Sequence, residues 1–338
     1  MSDEGERDRT IERQIFLRSL NIARPVGSAA KQLAAAMQDR LIPARSVIYR
    51  RGEHAGQIYF VLKGEIELSL EGADPWKLTP PSVVGILDVL QDRARERTAT
   101  ALTDVHALAL SAEDYFDVLE DNFEYARGAV RGVTVNLHSL SLDLSPTGGF
   151  PEPAGPGAPI PTRPMNLVER TLALHESPVF RAASIQGLTR LAGLAEEVRH
   201  APGDVISRRG DPCDALVVVA RGLVRIERDD PHIEARLGAG SLVGGYATIG
   251  HDAHEYETTA LAPTAALRVR KEDFFDLLED HFEVTRAVLG FLAAERERVL
   301  AERAARIQAG ESLRSQRTIT TPAGAREIAA MADRLVPR

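Results

Sequence analysis

Four residues that can ligate a metal lie close together in the sequence: His251, Asp252, His254 and Glu255. Imidazole nitrogens and carboxylate oxygens are ligands that zinc takes in proteins. Short polar loops often gather these residue types, however, and no other ligand cluster in the chain supports this one. We therefore predict no metal site.

Two further features can be set against known reactive motifs. The glycines of the stretch 238–245 follow no strand–helix–strand pattern, so a dinucleotide-binding turn is not expected. Cys213 is the sole cysteine and has no histidine at a motif spacing, so we interpret it as a loop thiol. A single cysteine allows no internal disulfide, which fits a reducing compartment.

The elements that would position any site occur twice, at an offset of about 159 residues. Residues 113–124 reappear as 272–283, residues 47–53 as 205–211, and residues 63–67 as 221–225. Three blocks in the same order at a nearly constant offset indicate two copies of one domain. The paired acidic residues of the closing blocks are interpreted as solvated faces or helix-start charges.

Each copy has a helical beginning, a middle of short strands and turns, and a helical end. Gly64 and Gly222 stand where a tight hairpin needs a permissive backbone. Closing helices are predicted from Ala112 to Leu140 and from Lys271 to about Ile307, the latter capped by Gly310. The pattern predicts a small antiparallel sandwich or barrel flanked by helices. The predicted boundaries are a tail or helix at 1–16, a first domain at 17–144, a Pro/Gly-rich linker at 145–166, a second domain at 167–309 and a tail at 310–338.

Composition excludes several classes of protein. The 338 residues are 44% hydrophobic and 27% charged, which is ordinary for a soluble globular chain. The net charge of −8 gives no overall basic surface for nucleic acid or an anionic membrane. The polar start of the chain has no apolar segment behind it, so a cytoplasmic protein is expected.

The arrangement resembles the cyclic nucleotide-binding domain family. The resemblance is carried by the turns at 51–53 and 209–211, by the hairpin glycines Gly64 and Gly222, and by the two closing helices. It implies a mainly β fold with flanking helices, made of two tandem jelly-roll domains. It also implies a phosphate-binding cassette with the pattern Phe-Gly-Glu, a short helix, and then Arg-x-Ala-Thr. In that cassette the arginine pairs with the cyclic phosphate and the glutamate accepts the ribose hydroxyl.

The first copy matches this cassette in part. The matching segment gives a candidate anion site made of Gly85, Arg97, Thr98, Ala99 and Thr100. Ile86 stands where the resemblance requires glutamate, and a buried ribose hydroxyl left unpaired costs about 1–3 kcal/mol. Arg97 has an alternative interpretation as a surface arginine, because arginines alternate along residues 93–97 as they do in solvated loops.

The second copy departs further from the cassette. Gly244 matches, but Gly245 replaces the glutamate and Tyr256 replaces the arginine. Glu255 and Glu257 flank that position with negative charge, which repels a phosphate. We expect this pocket not to bind a cyclic nucleotide in the family manner.

These observations predict a non-enzymatic cytoplasmic regulatory or adaptor protein that acts through an unknown protein partner. No cofactor is expected, and cAMP or cGMP should bind weakly or not at all. The alternative is a true sensor of a cyclic nucleotide or another small anion through the first domain.

A cupin-like enzyme would need histidine and glutamate ligands spaced within the strands, which are missing. Members of this family that regulate transcription carry a helix-turn-helix domain after the last helix, and residues 311–338 are too few for one. Kinase regulatory subunits carry a docking helix pair and an inhibitory segment, and the residues before Ile11 are too few for either.

A homodimer is also predicted. The segment from Val284 to Ala304 has apolar residues at helical spacing, and a helix of about 25 residues outreaches one small domain. The resemblance implies that such a helix forms a dimer seam. The alternative is that its distal half, Val299 to Ile307, folds back on the first copy or on the tail.

Overall fold

The computed structural model describes residues 10–14, 16–17, 27–141, 144, 153, 155, 157, 159–229, 232–244 and 247–310. The described chain separates into two compact units, one up to Ala129 and one from Val130 onward. The boundary lies within a helix, so the last part of the first domain's closing helix belongs to the second unit.

The first unit contains eight strands in two antiparallel sheets, with strand orders β1-β8-β3-β6 and β2-β7-β4-β5. Alternating apolar residues of both sheets face each other and form the interior, as expected for a sandwich. Its elements are α1 Gly27–Ala36, β1 Gln38–Ile42, β2 Val47–Tyr49, β3 Gln57–Lys63, β4 Ile66–Leu70, β5 Ala73–Leu78, β6 Ser82–Val84, α2 Ile86–Leu90, β7 Thr98–Ala101, β8 Val105–Ser111, α3 Ala112–Asp121 and α4 Phe123–Ser141.

The second unit has a similar order, but its described strands include no counterpart of β6. Its sheets have the orders β11-β15-β9 and β10-β14-β12-β13, and all their strand pairs are antiparallel. Its elements are α5 Leu167–Glu176, α6 Ile185–Leu194, β9 Glu196–His200, β10 Val205–Ser207, β11 Ala215–Arg221, β12 Val224–Asp229, β13 His232–Leu237, α7 Ala247–Gly250, β14 Glu257–Ala260, β15 Thr264–Arg270, α8 Lys271–Asp280 and α9 Phe282–Gln308. The predicted fold class, two mainly β jelly-roll domains with flanking helices, is confirmed.

Both closing helices are interrupted, where the sequence predicts continuous helices. Asn122 has φ −133° and ψ 74°, and its side chain donates a hydrogen bond to the Val118 carbonyl at 2.9 Å. His281 has nearly the same backbone conformation, φ −129° and ψ 74°. An asparagine side chain that bonds the preceding turn competes with helix continuation, so α3 ends there and α4 starts a new direction.

The distal half of α9 is partly covered within the second unit. Val299 is fully buried, and the Arg303 guanidinium donates to the carbonyl of Leu140 in α4 at 2.9 Å. Ile307, one turn further on, remains 59% exposed. No described helix has the length and apolar content that a membrane span requires.

Candidate functional site

Gly85 lies between β6 and the five-residue helix α2, in a position that only glycine fits. Its φ of 83° is in the left-handed region, which disfavours residues with a Cβ. A Cβ on Gly85 would also collide with the guanidinium of Arg95 and come within 3.2 Å of the Gln57 carbonyl. The side chain nearest to Gly85 is therefore that of Arg95 and not that of the candidate ligand Arg97.

Arg95 fills the interior beside Gly85. It is 3% exposed, its Nη1 donates to the Gly85 carbonyl at 2.8 Å, and its Nη2 donates to the Gln57 carbonyl. The guanidinium carbon lies 4.2 Å from the ring centroid of Tyr49 on β2. A guanidinium over an aromatic face is attracted by the ring quadrupole. The interpretation of residues 93–97 as a solvated loop is therefore wrong for Arg95.

Asp88 on α2 does not replace the missing glutamate. Its Oδ1 accepts from Arg93 at 3.0 Å and its Oδ2 lies 3.8 Å from Arg95, so both oxygens face arginines of the same loop. Burial raises the pKa of the Tyr49 phenol, although the Arg95 charge opposes this shift. Arg95 thus faces a neutral phenol and one carboxylate.

Arg97 precedes β7 and lies over Trp76 of β5, with its guanidinium carbon 3.8 Å from the ring centroid. Its Nη1 is buried and has no hydrogen-bond partner among the described residues. The Thr98 hydroxyl accepts from the Arg51 amide at 3.1 Å, and Ala99 is fully buried in the sheet interior. Thr100 is half-buried in β7, between β2 and β4. Of the five predicted site residues, Arg97 alone offers a free charged group.

The second domain presents its own arginine from a different strand. Tyr256, at the position of the cassette arginine, is 6% exposed, and the Arg228 guanidinium carbon lies 5.4 Å from its ring centroid. Arg228 is 4% exposed, and its Nε and Nη2 have no partner in the described part of the chain. The sequence interpretation missed Arg228. Strand alternation could have found it, because Val224 and Ile226 on the same face of β12 are fully buried.

The four metal-ligand types noted in the sequence separate in the structure. Glu255 lies 3.9 Å from His251, and Asp252 pairs with Arg131 at 3.0 Å. His254 instead lines a cavity on the other side of its loop. Among the described residues of the second unit, no three such ligands converge on a common point.

His138 from α4 joins this loop. Its Nε2 is 3.8 Å from a Glu255 oxygen, and its ring centroid is 4.7 Å from that of His251. Burial and the neighbouring His251 lower the pKa of His138 to about 4, although the Glu255 charge opposes the shift. The imidazole of His138 is therefore uncharged at neutral pH.

Comparison with known proteins decides the family. A sequence profile described as the cyclic nucleotide-binding domain matches residues 39–122 and 197–281, together half of the chain. The chain belongs to this family. Each match covers the strands of one domain and ends at the closing helix.

Two of the relatives similar to this chain are longer proteins that match it over part of their length. The chain is 22% identical over 260 residues to a cGMP-dependent protein kinase of Drosophila melanogaster, a match of 74% of this chain and 20% of the kinase. It is 30% identical over 112 residues to a cyclic nucleotide-gated potassium channel of Rhizobium etli, covering 31% of each. The chain thus spans less than a third of the length of these relatives.

Some solved structures align with the chain at low similarity. The regulatory domain of Toxoplasma gondii PKA with cAMP is 16% identical, with a TM-score of 0.33 over 90% of this chain and 98% of that one. The N-terminal domain of a transcriptional regulator from Streptomyces coelicolor is 24% identical, with a TM-score of 0.34 over 38% of this chain and 97% of that one.

Proposed function

We propose that this protein is a non-enzymatic, cytoplasmic regulatory or adaptor protein that acts through protein–protein contacts and binds no cyclic nucleotide in the manner of its family. The observation that carries the proposal is the interior of the first domain. Arg95 occupies the space beside Gly85 and donates hydrogen bonds to the carbonyls of Gly85 and Gln57. A side chain of the protein thus fills the space beside the cassette glycine and pairs with the backbone there.

The cassettes support the same conclusion. Ile86 and Gly245 stand where a carboxylate would accept the ribose hydroxyl, and neither can accept it. A binding site discriminates against a ligand when a buried polar group of either partner is left without a hydrogen bond. Without the carboxylate, the ribose hydroxyl would be such a group. In the second domain Tyr256 also lacks the charge that pairs with phosphate.

Regulation through a partner is supported by the greater length of the relatives. In the curated kinase and channel, the segment similar to this chain is one part of a longer protein. A region similar to this chain therefore occurs together with further sequence in those two proteins. We infer that the output of this chain is a protein surface contacted by another polypeptide.

The proposal predicts that millimolar cAMP or cGMP leaves the melting temperature of the chain unchanged. A ligand that binds only the folded state raises the melting temperature according to its concentration relative to its Kd. Differential scanning fluorimetry of the full chain provides the measurement. A saturable rise with either nucleotide, removed by Arg97→Ala and kept by Tyr256→Phe, would contradict the proposal.

The second candidate function is a sensor of a small anion through the first domain. It is favoured by the buried Nη1 of Arg97, which has no acceptor among the described residues. A guanidinium without an acceptor in a partly buried site attracts phosphate-like anions. Inorganic phosphate would then raise the melting temperature more than chloride does at equal ionic strength, and Arg97→Ala would remove that difference.

The homodimer remains a prediction that the exposed end of α9 can test. If two chains associate there, Ile307→Glu should convert the dimer into a monomer, because it places a charge in an apolar seam. Light scattering at tens of micromolar measures the mass of both proteins. A monomeric full-length chain rules out the dimer, and an unchanged dimer in Ile307→Glu places the interface elsewhere.

A further inference from the structure

The second domain contains a cavity of about 280 Å³ at one end of its two sheets. Three polar atoms of its lining have no partner in the described part of the chain: His200 Nε2, Ser207 Oγ and His254 Nδ1. Ser207 is 8% exposed, so its hydroxyl faces the cavity rather than solvent. Buried polar groups in native proteins are almost always hydrogen-bonded, and three unpaired atoms around one space indicate a missing occupant. The apolar part of the lining is formed by Val198, Ile206, Pro212, Ala215, Val217 and Val243.

The backbone shows which residue of the first domain corresponds to His254. In the second domain the Gly210 amide donates to the His254 carbonyl at 2.8 Å, and the His254 amide donates to the Asp211 carbonyl at 2.9 Å. In the first domain the Gly52 amide donates to the Arg95 carbonyl at 2.9 Å. The Arg95 amide likewise donates to Glu53 at 2.8 Å. His254 therefore stands where the first domain has Arg95.

The first domain fills the corresponding space with its own side chains. Arg95 lies there over Tyr49, with Tyr59 packed against the same interior cluster. The second domain has Ser207 on β10 at the position of Tyr49. On β11 it has Val217 at the position of Tyr59. Two rings and a guanidinium are thus replaced by smaller groups, and the cavity is the space that they leave.

The charges around the cavity favour a cation. Asp211 and Asp214 line its exposed mouth, and Arg268 pairs with Asp214 at 3.1 Å. The carboxylates of Asp211 and Asp214 and the guanidinium of Arg268 together give the lining one net negative charge. Burial lowers the pKa of His254, so its ring stays neutral and its free nitrogen can accept a hydrogen bond.

We propose that this cavity binds a planar guanidinium group supplied from outside the domain, in the place where the first domain uses its own Arg95. The guanidinium donates to the free acceptors of Ser207 and His254 and is balanced by the carboxylates at the mouth. Its source is either a small guanidino compound or an arginine side chain of another polypeptide. A guanidinium offers several donors in a fixed planar fork and is more weakly hydrated than an ammonium, so it can donate to more than one acceptor in a partly buried space.

The test compares methylguanidine with ethylamine, which has the same charge without the planar fork. Millimolar methylguanidine should raise the melting temperature of the full chain by roughly 3 °C, and ethylamine should leave it unchanged. His254→Arg should remove the shift because it supplies the guanidinium from within the domain. Ser207→Tyr fills the same space with an aromatic ring and should remove the melting-temperature shift as well. This variant provides the test if His254→Arg does not fold.

A second comparison identifies the source of the group. Binding of free guanidino compounds but not of a capped arginine supports a small-molecule ligand. Binding of capped arginine but not of capped lysine supports an arginine from another polypeptide. Equal shifts with methylguanidine and ethylamine would overturn the proposal, since they would reflect charge alone. Absence of any shift, or an unchanged shift in both refilled variants, would overturn it too.

Discussion

Arg95→Ala should lower the free energy of unfolding by about 3–5 kcal/mol, the cost of breaking a buried charged network by removing one partner. The substitution leaves the carbonyls of Gly85 and Gln57 without their donor and removes the cation that lies over Tyr49. It also opens a cavity in the first domain, which adds to the loss. Urea unfolding of the full chain, followed by circular dichroism, measures the change.

Arg97→Ala is the matched control because it removes the same side chain two residues further along the loop. Arg97 is half-buried, and its Nη1 forms no hydrogen bond with any described residue. Its loss should cost about 1 kcal/mol, mostly through the contact with Trp76. If Arg95→Ala costs no more than Arg97→Ala, Arg95 does not hold the interior together.

The second unit should lose stability as the pH falls from about 6.5 towards 4. Burial, the neighbouring His251 and the Arg228 charge lower the pKa of folded His138 to about 4, and the Glu255 charge opposes them. Because the unfolded chain binds the proton at about pH 6.5, acid favours unfolding between these two values. The stability associated with neutral His138 is fully present above pH 6.5. The free energy of unfolding that is lost in acid is on the order of 3 kcal/mol. His138→Gln should flatten this part of the stability–pH profile.

The exposed His232 supplies the control for this experiment. His232→Gln should leave the profile as it is in the unmodified chain. Both variants are compared by urea unfolding at intervals across the window. A profile with the same slope in His138→Gln and the unmodified chain would show that His138 does not carry the acid sensitivity.

Much of the fold could be predicted because its signals are local. The hairpins at Gly64 and Gly222 follow from glycine between alternating strands, and both residues have positive φ, 91° and 106°. The interruptions at Asn122 and His281 could not be predicted, because one non-helical residue leaves the apolar spacing on either side intact.

The candidate site was only partly predictable, because the burial of its arginines depends on contacts that the local sequence does not show. The family resemblance points to Gly85 and Arg97 as cassette positions, but the run around Arg95 has the charge pattern of a solvated loop. The burial of Arg95 depends on Tyr49 from β2 and on a carbonyl from β3, which are distant in the sequence. The burial of Arg228 likewise depends on Tyr256, which directly precedes the neighbouring strand β14.

Isothermal titration calorimetry of cAMP and cGMP against the full chain tests the central claim most directly. The claim is that Arg95 and the missing carboxylates leave no family-type nucleotide site. We predict no measurable heat for either nucleotide, in line with the unchanged melting temperature expected at millimolar concentration; a Kd of 1 μM would correspond to about 8 kcal/mol of binding free energy. A Kd below about 1 μM that is lost in Arg97→Ala would contradict the claim and show a working cyclic nucleotide site in the first domain.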